Sequence, residues 1–365
     1  MKNNIYYLIS TIICLIIVNF TYSQKFENGP DKITLTYNKV YDAPEKLSIF
    51  SISLPFYHGS FSKMNFSLYD LKGGIQYVGK GKLNGGLSYK LGLVDKLLPK
   101  TEETNDVVRQ NHVMSVFDPG HAQEFDVYAT YFFLEKEKKV NTPFTLKTEG
   151  GYYYRTTYYS KVETKAIFKH GINLGYSQGF TWYNMNNTDL KLYNRPNDII
   201  KEVNLQSMSS VQHYKFIKLG YQHQRIVNAK MKFEKYGVRG AQQIIVTGAN
   251  LIYALQNDFD DVYLGDYQPN NGDKVFYEQY EIDQSNKFLN VGLEVYQRFY
   301  FKRNLVSFDY RVGYLPGMMN NLNVMLNVGV NFQIDFFRNN LKNLDKLIDR
   351  EYEKSMEIDA QSKRI

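Results

Sequence analysis

The sequence predicts an all-β fold, an antiparallel up-and-down β-barrel that crosses a membrane. Three observations predict it: apolar and polar residues alternate over long segments, aromatic residues are abundant, and no later apolar run is long enough for a membrane-spanning helix. The chain has 365 residues, with 32 Tyr, 24 Phe and only 9 Pro. Its mean hydropathy is nevertheless −0.44. A polar average with many aromatic residues is typical of strands that have one wet face and one lipid face.

The N-terminus has the three-part pattern of an export signal. An apolar run, residues 5–18, follows the basic Lys2 and leads to small polar residues before Gln24. We expect a signal peptide over 1–23, because the run is shorter than the roughly 20 residues of a transmembrane helix. An uncleaved anchor is the alternative. Cys14 is the only cysteine and lies in this run, so we expect no disulfide in the mature chain.

Alternation with a period of two is clearest near the C-terminus. Every second residue from Leu322 to Phe336 is apolar, over fifteen residues. This period excludes a helix, and the length exceeds the roughly 5–6 residues of a typical soluble strand. Similar patterns predict strands over 83–93, 124–134, 143–155, 164–179, 289–295 and 306–314, and weaker patterns predict them over 31–41, 46–57, 63–79, 211–232 and 242–255.

These segments predict a barrel over 24–337 with about twelve strands, in a range from ten to fourteen. A soluble β-sandwich or propeller is the alternative, but it would use shorter strands and more Pro-Gly turns. The irregular register of 211–232 indicates a bulge or two short pieces.

Loop lengths predict the orientation, because bacterial barrels have short periplasmic turns and long external loops. Counting back from the last strand places the long segments 180–210 and 256–286 outside, and the short turn 233–241 inside. The long connection 95–123 would then be periplasmic. Either it is a real insertion, or a strand within 107–118 has been missed.

The polar face of the strands is expected to line the lumen. Its charged candidates have both signs: Lys90, Lys147, Glu149, Arg155, Lys165, Lys169, Glu294, Asp309, Arg311 and Asp335. Twelve strands give a diameter between those of small filled barrels and open 16-stranded porins. We therefore expect a narrow or plugged lumen.

The segment 338–365 differs from the rest of the chain. Leu341, Leu344, Ile348 and Tyr352 recur at three- and four-residue spacing among charged residues. This spacing predicts an amphipathic periplasmic helix that docks on a partner or caps the barrel mouth. A frayed tail is the alternative.

No arrangement of residues predicts an enzyme or a cofactor. The six histidines lack the spacing of the helical zinc motif. An outer-membrane hydrolase stays open, because a triad is recognised by geometry and not by position. The acidic loop 256–286 offers Asp258, Asp260 and Asp261 as weak candidates for a divalent ion, without the ordered spacing of a calcium loop. The net charge of +7 is dispersed, which does not favour nucleic-acid binding.

The chain resembles outer-membrane β-barrels of Gram-negative bacteria, in particular Bacteroidota. The resemblance rests on Gln24 after the expected cleavage site, on the Tyr- and Asn-rich alternating strands, and on Phe336–Phe337. The resemblance implies an outer-membrane location and contact with its lipid. In that class a terminal aromatic residue helps the assembly machinery, whereas this chain continues for 28 residues.

Two functions follow as hypotheses. The first is a narrow pore or porin-like transporter of small solutes. The second is a non-transport barrel subunit of a larger cell-envelope or secretion complex, which binds a protein partner through the external loops or the C-terminal helix.

Overall fold

The computed structural model describes residues 36–62, 66–67, 70–92, 112–115, 122–149, 156–185, 188–194, 199–205, 208–266, 276–282, 288–301, 306–318 and 323–335. The expected signal peptide and the expected helix over 338–365 lie outside these residues. Among the described residues, no helix is long and apolar enough to cross a membrane.

The described residues form strands and one short 3-10 turn, Pro44–Lys46. In chain order the strands are β1 Tyr37–Asp42, β2 Ile49–Ser62, β3 Phe66–Ser67, β4 Asp70–Val78, β5 Leu83–Gly92, β6 His112–Ser115, β7 Gln123–Glu149, β8 Thr156–Met185, β9 Thr188–Asn194, β10 Ile199–Leu205, β11 Met208–Phe233, β12 Gly237–Phe259, β13 Val262–Asp266, β14 Phe276–Ile282, β15 Phe288–Leu289, β16 Val291–Phe301, β17 Val306–Leu315, β18 Gly317–Met318 and β19 Asn323–Asp335.

Ten strands close into a ring. One antiparallel sheet of twelve strands runs in the order β1-β11-β12-β16-β17-β19-β2-β4-β5-β7-β8, with β3 attached to β2 and β8 pairing back onto β11. Since β1 and β3 lie off this circuit, ten of the twelve strands form the ring. Ring neighbours follow chain order, and the last strand, β19, pairs with the first, β2. The result is an up-and-down barrel without a free edge.

The ring therefore has two strands fewer than the expected twelve. The predicted strands 124–134 and 143–155 are parts of the single 27-residue strand β7. The polar stretch between them is no turn, since it stays paired with β8 from Lys136 opposite Phe168 to Thr142 opposite Val162. The predicted strand 31–41 corresponds to β1, which pairs with the last residues of β11 and not with a ring edge.

The two ends of the ring differ. At one end, called the loop end, lie the long connections before β7, β11 and β16, whose short strands β6, β9, β10, β13 and β14 form a separate five-stranded sheet. At the other end, called the terminal end, lie the start of β2, the end of β19 and the tight turns 79–82 and 234–236. The connection 95–123 thus lies at the loop end, which corrects its expected position. The prediction counted β7 as two strands. Because successive strands alternate in direction, it therefore assigned the opposite direction to every strand before β7.

Four ring strands continue past the barrel at the terminal end. Strands β7, β8, β11 and β12 have 27, 30, 26 and 23 residues, whereas β4 and β5 have 9 and 10. The first residue of β5, Leu83, already pairs with Tyr131 of β7. We call the continuation, residues 135–149, 156–166 and 227–242 together with β1, the protruding sheet.

The protruding sheet has a hydrophobic core of its own. Its buried residues are Phe144, Leu146, Val162, Ala229, Met231 and Phe233. The Phe144 and Phe233 ring centroids lie 6.0 Å apart. Arg239 of β12 donates to the Leu146 carbonyl of β7 from Nε at 3.1 Å and from Nη2 at 2.9 Å. The extension of the β7–β8 hairpin therefore packs on that of β11–β12 as a small folded unit.

Candidate functional site

The interior of the ring is the candidate site, and contacts between distant strands define it. Along β8, Asn173 and Ser177 are buried, while Ile172 and Leu174 are 53% and 57% exposed. The buried face makes contacts that neighbouring strands cannot account for. Asp126 of β7, for example, lies 3.6 Å from Arg311 of β17, on a strand that is not adjacent in the ring. Such a contact crosses the lumen.

Four charged residues form a balanced network in the lumen. Lys218 donates from Nζ to Asp126 Oδ1 at 2.9 Å and lies 3.9 Å from Glu294 Oε1. The guanidinium of Arg311 lies 3.6 Å from Asp126 and 3.9 Å from Glu294. All four side chains are at most 7% exposed. Two cations and two carboxylates compensate each other, as buried charges require.

Further ion pairs lie beside this network. Lys90 Nζ is 3.6 Å from Glu124 Oε2, and the Tyr214 hydroxyl donates to the same carboxylate oxygen at 3.1 Å. Lys72 Nζ lies 3.9 Å from Asp309 Oδ2. The lumen at this level is therefore occupied by paired charges, from adjacent strands in the Lys90–Glu124 pair and from non-adjacent strands in the Lys72–Asp309 pair.

A chain of amide hydrogen bonds continues the filling toward the terminal end. Thr130 Oγ1 lies 2.9 Å from Asn173 Oδ1 and 3.1 Å from Gln222 Oε1. Asn173 donates to Asn250 at 2.9 Å, and Asn250 donates to Glu294 at 2.7 Å. All of these side chains are nearly fully buried. A satisfied polar network of this kind is rigid, because moving any member leaves another unpaired.

At the terminal end the lumen is closed by apolar side chains. They come from six ring strands and from the chain before β2, and none is more than 4% exposed: Leu47, Ile49, Val78, Ile167, Ile226, Ile244, Val246, Tyr296 and Tyr300. Leu47 is fully buried, although it precedes the first ring strand. We call this group the terminal plug.

Lys169 fixes the β4–β5 turn over the terminal plug. Its ammonium group donates to the carbonyls of Gly79, Lys80 and Gly81 at 3.2, 2.5 and 3.0 Å, and it lies 3.2 Å from Glu135. The Lys169 side chain is fully buried. A charge-assisted contact to three carbonyl groups holds the turn against the mouth of the barrel.

A small, partly open cavity of about 50 Å³ lies inside the ring. Its lining includes Lys72, Tyr128, Arg298, Asp309 and Arg311. The Arg298 guanidinium lies 4.5 Å from the centroid of the Tyr128 ring, a cation–π contact. The cavity is therefore rich in cationic groups, and its walls belong to the network described above.

The structure separates the predicted lumen residues into two groups. Five of them project into the ring, as their contacts with other inward groups show: Lys90, Lys169, Glu294, Asp309 and Arg311. Arg155 lies outside the described residues, and so does the side chain of Asp335. The predicted partner helix with Leu341, Leu344, Ile348 and Tyr352 also lies outside them.

Lys147, Glu149 and Lys165 lie on the protruding sheet and not in the lumen, which corrects their expected position. The reason is that β7 and β8 are longer than the barrel. Lys147 and Glu149 are about half exposed and form an ion pair with each other. Their hydrogen bond raises the pKa of Lys147 and lowers the pKa of Glu149. A hydrogen bond to Glu137 likewise raises the pKa of Lys165.

Lys218 was not among the predicted lumen residues, although it is central to the network. The expected bulge or break within 211–232 is not found: β11 is one continuous strand, and the register shift beside Lys215 leaves out Leu255 of β12. The alternation was hard to read because the inward face of β11 includes the apolar Phe216 and its outward face the charged Lys215. A usable signal was nevertheless present, because Ile217, Leu219 and Tyr221 share the exposed face.

The weak metal candidates are engaged in other contacts. Asp260 Oδ2 lies 3.1 Å from His213 Nε2, and Asp258 accepts a hydrogen bond from Gln256 at 2.6 Å. Asp261 lies beside them at the end of β12. Within the part of the chain that the structure describes, no three His, Cys, Asp or Glu residues are grouped so that they could hold a metal ion.

Comparisons with known proteins do not assign a family or a function to this chain. Neither a protein-family model nor a curated protein sequence matches the chain. Among solved structures, the chain is similar to Salmonella typhi OmpF in complex with daunomycin, at 8% sequence identity and a TM-score of 0.17, over 81% of this chain and 100% of that chain. A similarity this low carries no argument about fold or function.

Proposed function

We propose that this protein is an outer-membrane β-barrel with a closed lumen, which anchors the protruding sheet on the periplasmic side and serves as a non-transport subunit of a cell-envelope complex. The single observation that carries this proposal is the filling of the lumen by the charge network and the terminal plug. The following paragraphs give the support for each part.

A belt of exposed apolar side chains supports the membrane location. Each of the ten ring strands contributes at least one large outward side chain that is 37% exposed or more: Phe50, Ile75, Leu87, Val127, Leu174, Leu219, Leu251, Leu293, Phe308 and Leu326. Soluble monomers rarely expose a continuous apolar patch of this extent. The hydrocarbon core of a membrane is a favourable environment for this apolar belt. Ring closure also pairs the backbone N–H and C=O groups, to which lipid chains offer no hydrogen bonds.

The position of the termini supports the orientation. The short turns, the start of the first ring strand and the end of the last ring strand all lie at the terminal end. In bacterial barrels the end with these features faces the periplasm. The protruding sheet lies at that end too. Its buried Phe144 and Phe233 give it a folded core, so it presents a defined surface to a periplasmic partner.

Closure of the lumen favours a subunit over a transporter. A ten-stranded ring is only slightly wider than the eight-stranded barrels whose interiors are filled by side chains. Here Asp126, Lys218, Glu294 and Arg311 occupy the interior in mutual contact. Opening a path would break these ion pairs, whose side chains are at most 7% exposed.

A narrow pore for small solutes is the second candidate, and the partly open cavity in the lumen favours it. Lys72, Arg298 and Arg311 in its lining would favour anions. Conduction through the barrel would require the terminal plug to move.

Planar-bilayer recordings distinguish the two candidates. We expect no current steps from the folded wild-type protein, and steps from a variant in which Leu47 and Tyr300 of the plug and Asp126 and Arg311 of the charge network are all replaced by Ala. Leu174→Ala, on the lipid face, is the matched control and should stay silent. Regular steps from the wild-type protein would show that the lumen is open, and would favour the pore.

The subunit role is tested by gentle detergent extraction and mass spectrometry of the native complex. We expect a defined partner that is lost when the exposed Lys139 and Lys161 of the protruding sheet are both changed to Glu, with barrel folding unchanged. A lone monomer in every detergent contradicts this role.

A further inference from the structure

A cluster of basic and aromatic side chains lies on the outer surface of the barrel, next to the apolar belt. On β8 the outward residues Leu174 and Ile172 belong to the belt, and the next two outward residues toward the terminal end are His170 and Phe168. Their partners on β11 are His223 opposite His170 and Arg225 opposite Phe168. The cluster therefore marks the level at which the barrel surface changes from apolar to charged.

The cationic groups of this cluster converge on one aromatic ring. Arg225 Cζ lies 6.0 Å from the centroid of the Phe168 ring, and Lys138 Nζ of β7 lies 5.9 Å from the same centroid. The rings of His170 and His223 are 4.7 Å apart. His170 Nδ1 is hydrogen-bonded to the Tyr221 hydroxyl. Four basic side chains thus share one small area of the surface.

No carboxylate compensates these cations within the described residues. Glu135 and Glu137 flank Lys138 in sequence but project from the opposite face of β7, where they pair with Lys169 at 3.2 Å and Lys165 at 3.0 Å. Nε of Arg225 is buried and has no hydrogen-bond partner among the described residues. Buried donors are normally paired, so this N–H group points to a missing acceptor.

We propose that this cluster binds the phosphate group of an anionic membrane lipid at the periplasmic headgroup level. The inference rests on the proposed membrane location of the barrel. Arg225 and Lys138 provide the charge, His223 provides a further polar contact, and Phe168 and Tyr221 are the aromatic residues typical of the interface. The belt residues Ile172, Leu174 and Leu219, on the adjoining surface, contact the acyl chains of the same lipid.

Native mass spectrometry of the full protein released from nanodiscs tests the site. The nanodiscs contain phosphatidylcholine with and without phosphatidylglycerol, and the readout is the number of phosphatidylglycerol molecules retained and their dissociation constant. The test variant is Lys138→Gln with Arg225→Gln. The matched control is Lys139→Gln with Lys161→Gln, which also removes two positive charges, from the exposed surface of β7 and β8 away from the cluster.

We expect about a thirtyfold weaker retention of phosphatidylglycerol in the test variant, since each basic residue near an anionic surface contributes about fivefold. The control should change retention by less than about threefold. Equal retention in both variants overturns the proposal. Displacement of the lipid by millimolar inorganic phosphate overturns the lipid as ligand and assigns free phosphate. Failure of the wild-type protein to insert into nanodiscs contradicts the membrane location instead, so the two failures are distinguishable.

Discussion

Replacing Asp126 by Asn tests the buried charge network directly. The change keeps the shape of the side chain but leaves Lys218 and Arg311 with one carboxylate, Glu294, between them. At an effective dielectric constant of about 20, each charge contact at 2.9–3.6 Å contributes about 5 kcal/mol before desolvation is subtracted. Breaking a buried pair typically costs about 3–5 kcal/mol, because the remaining charge stays buried. We expect a loss of that size in the free energy of unfolding.

The assay is reversible urea unfolding of the barrel in lipid vesicles, with the folded fraction measured by gel mobility. The matched control is Glu163→Gln in the exposed pair Lys139–Glu163, where the atoms are 2.9 Å apart and the side chains are 74% and 60% exposed. Such a pair contributes less than about 1 kcal/mol. Adding Lys218→Met to Asp126→Asn leaves one balanced pair and should recover most of the loss. Equal effects of Asp126→Asn and Glu163→Gln would refute a buried network.

Three further outcomes are expected. Phe233→Ala should lower the stability of the protruding sheet by about 3–5 kcal/mol. The loss should appear as faster amide hydrogen exchange in β1 and at the end of β11, with exchange in the barrel unchanged. Exchange that rises equally throughout the protein would contradict a separate core. Gly248→Ala should destabilise the barrel by about 1–3 kcal/mol in the urea assay, because a Cβ there would lie 2.5 Å from Cζ of the buried Tyr296 ring. An unchanged midpoint of urea unfolding would show that the Tyr296 ring moves aside. Lys147→Gln should raise the pKa of Glu149 toward its ordinary value, as measured by carbon NMR. Because the folded pKa of Glu149 is lowered, any stability from this pair is present above the ordinary carboxyl pKa and lost as the pH falls; an unchanged Glu149 pKa would contradict the hydrogen bond.

Alternation predicted those strands that have an exposed apolar face on one side and the lumen on the other. The last predicted strand, 322–336, agrees with β19 within one residue at each end, and 83–93 agrees with β5 as closely. Alternation failed where a strand continues past the ring. Residues 135–142 have charged groups on both faces, since Glu135 and Glu137 project from one face and Lys138 from the other. A strand that is wet on both faces has no period of two, so its sequence cannot be distinguished from that of a loop.

The site was harder to predict than the strands, because its contacts join residues that are far apart in sequence. Asp126 and Arg311 carry no motif, and only closure of the ring brings them together. The terminal plug also contradicts the simple expectation of a polar lumen, since Ile226, Ile244 and Val246 face inward. Their position at the barrel mouth, and not their residue type, determines that role.

Strand β11 shows how one pattern supports both proposals. Its inward residues change from Lys218 in the charge network to Ile226 in the terminal plug. Its outward residues change from the exposed Leu219 to Arg225 beside Phe168, and then to Phe233 in the core of the protruding sheet. On the outward face, the order apolar, basic, buried corresponds to hydrocarbon, headgroup and folded periplasmic unit. A soluble barrel would have no reason to place an uncompensated arginine between an exposed leucine and a buried phenylalanine. The polarity of β11 along its length therefore favours a membrane surface at the level of Arg225.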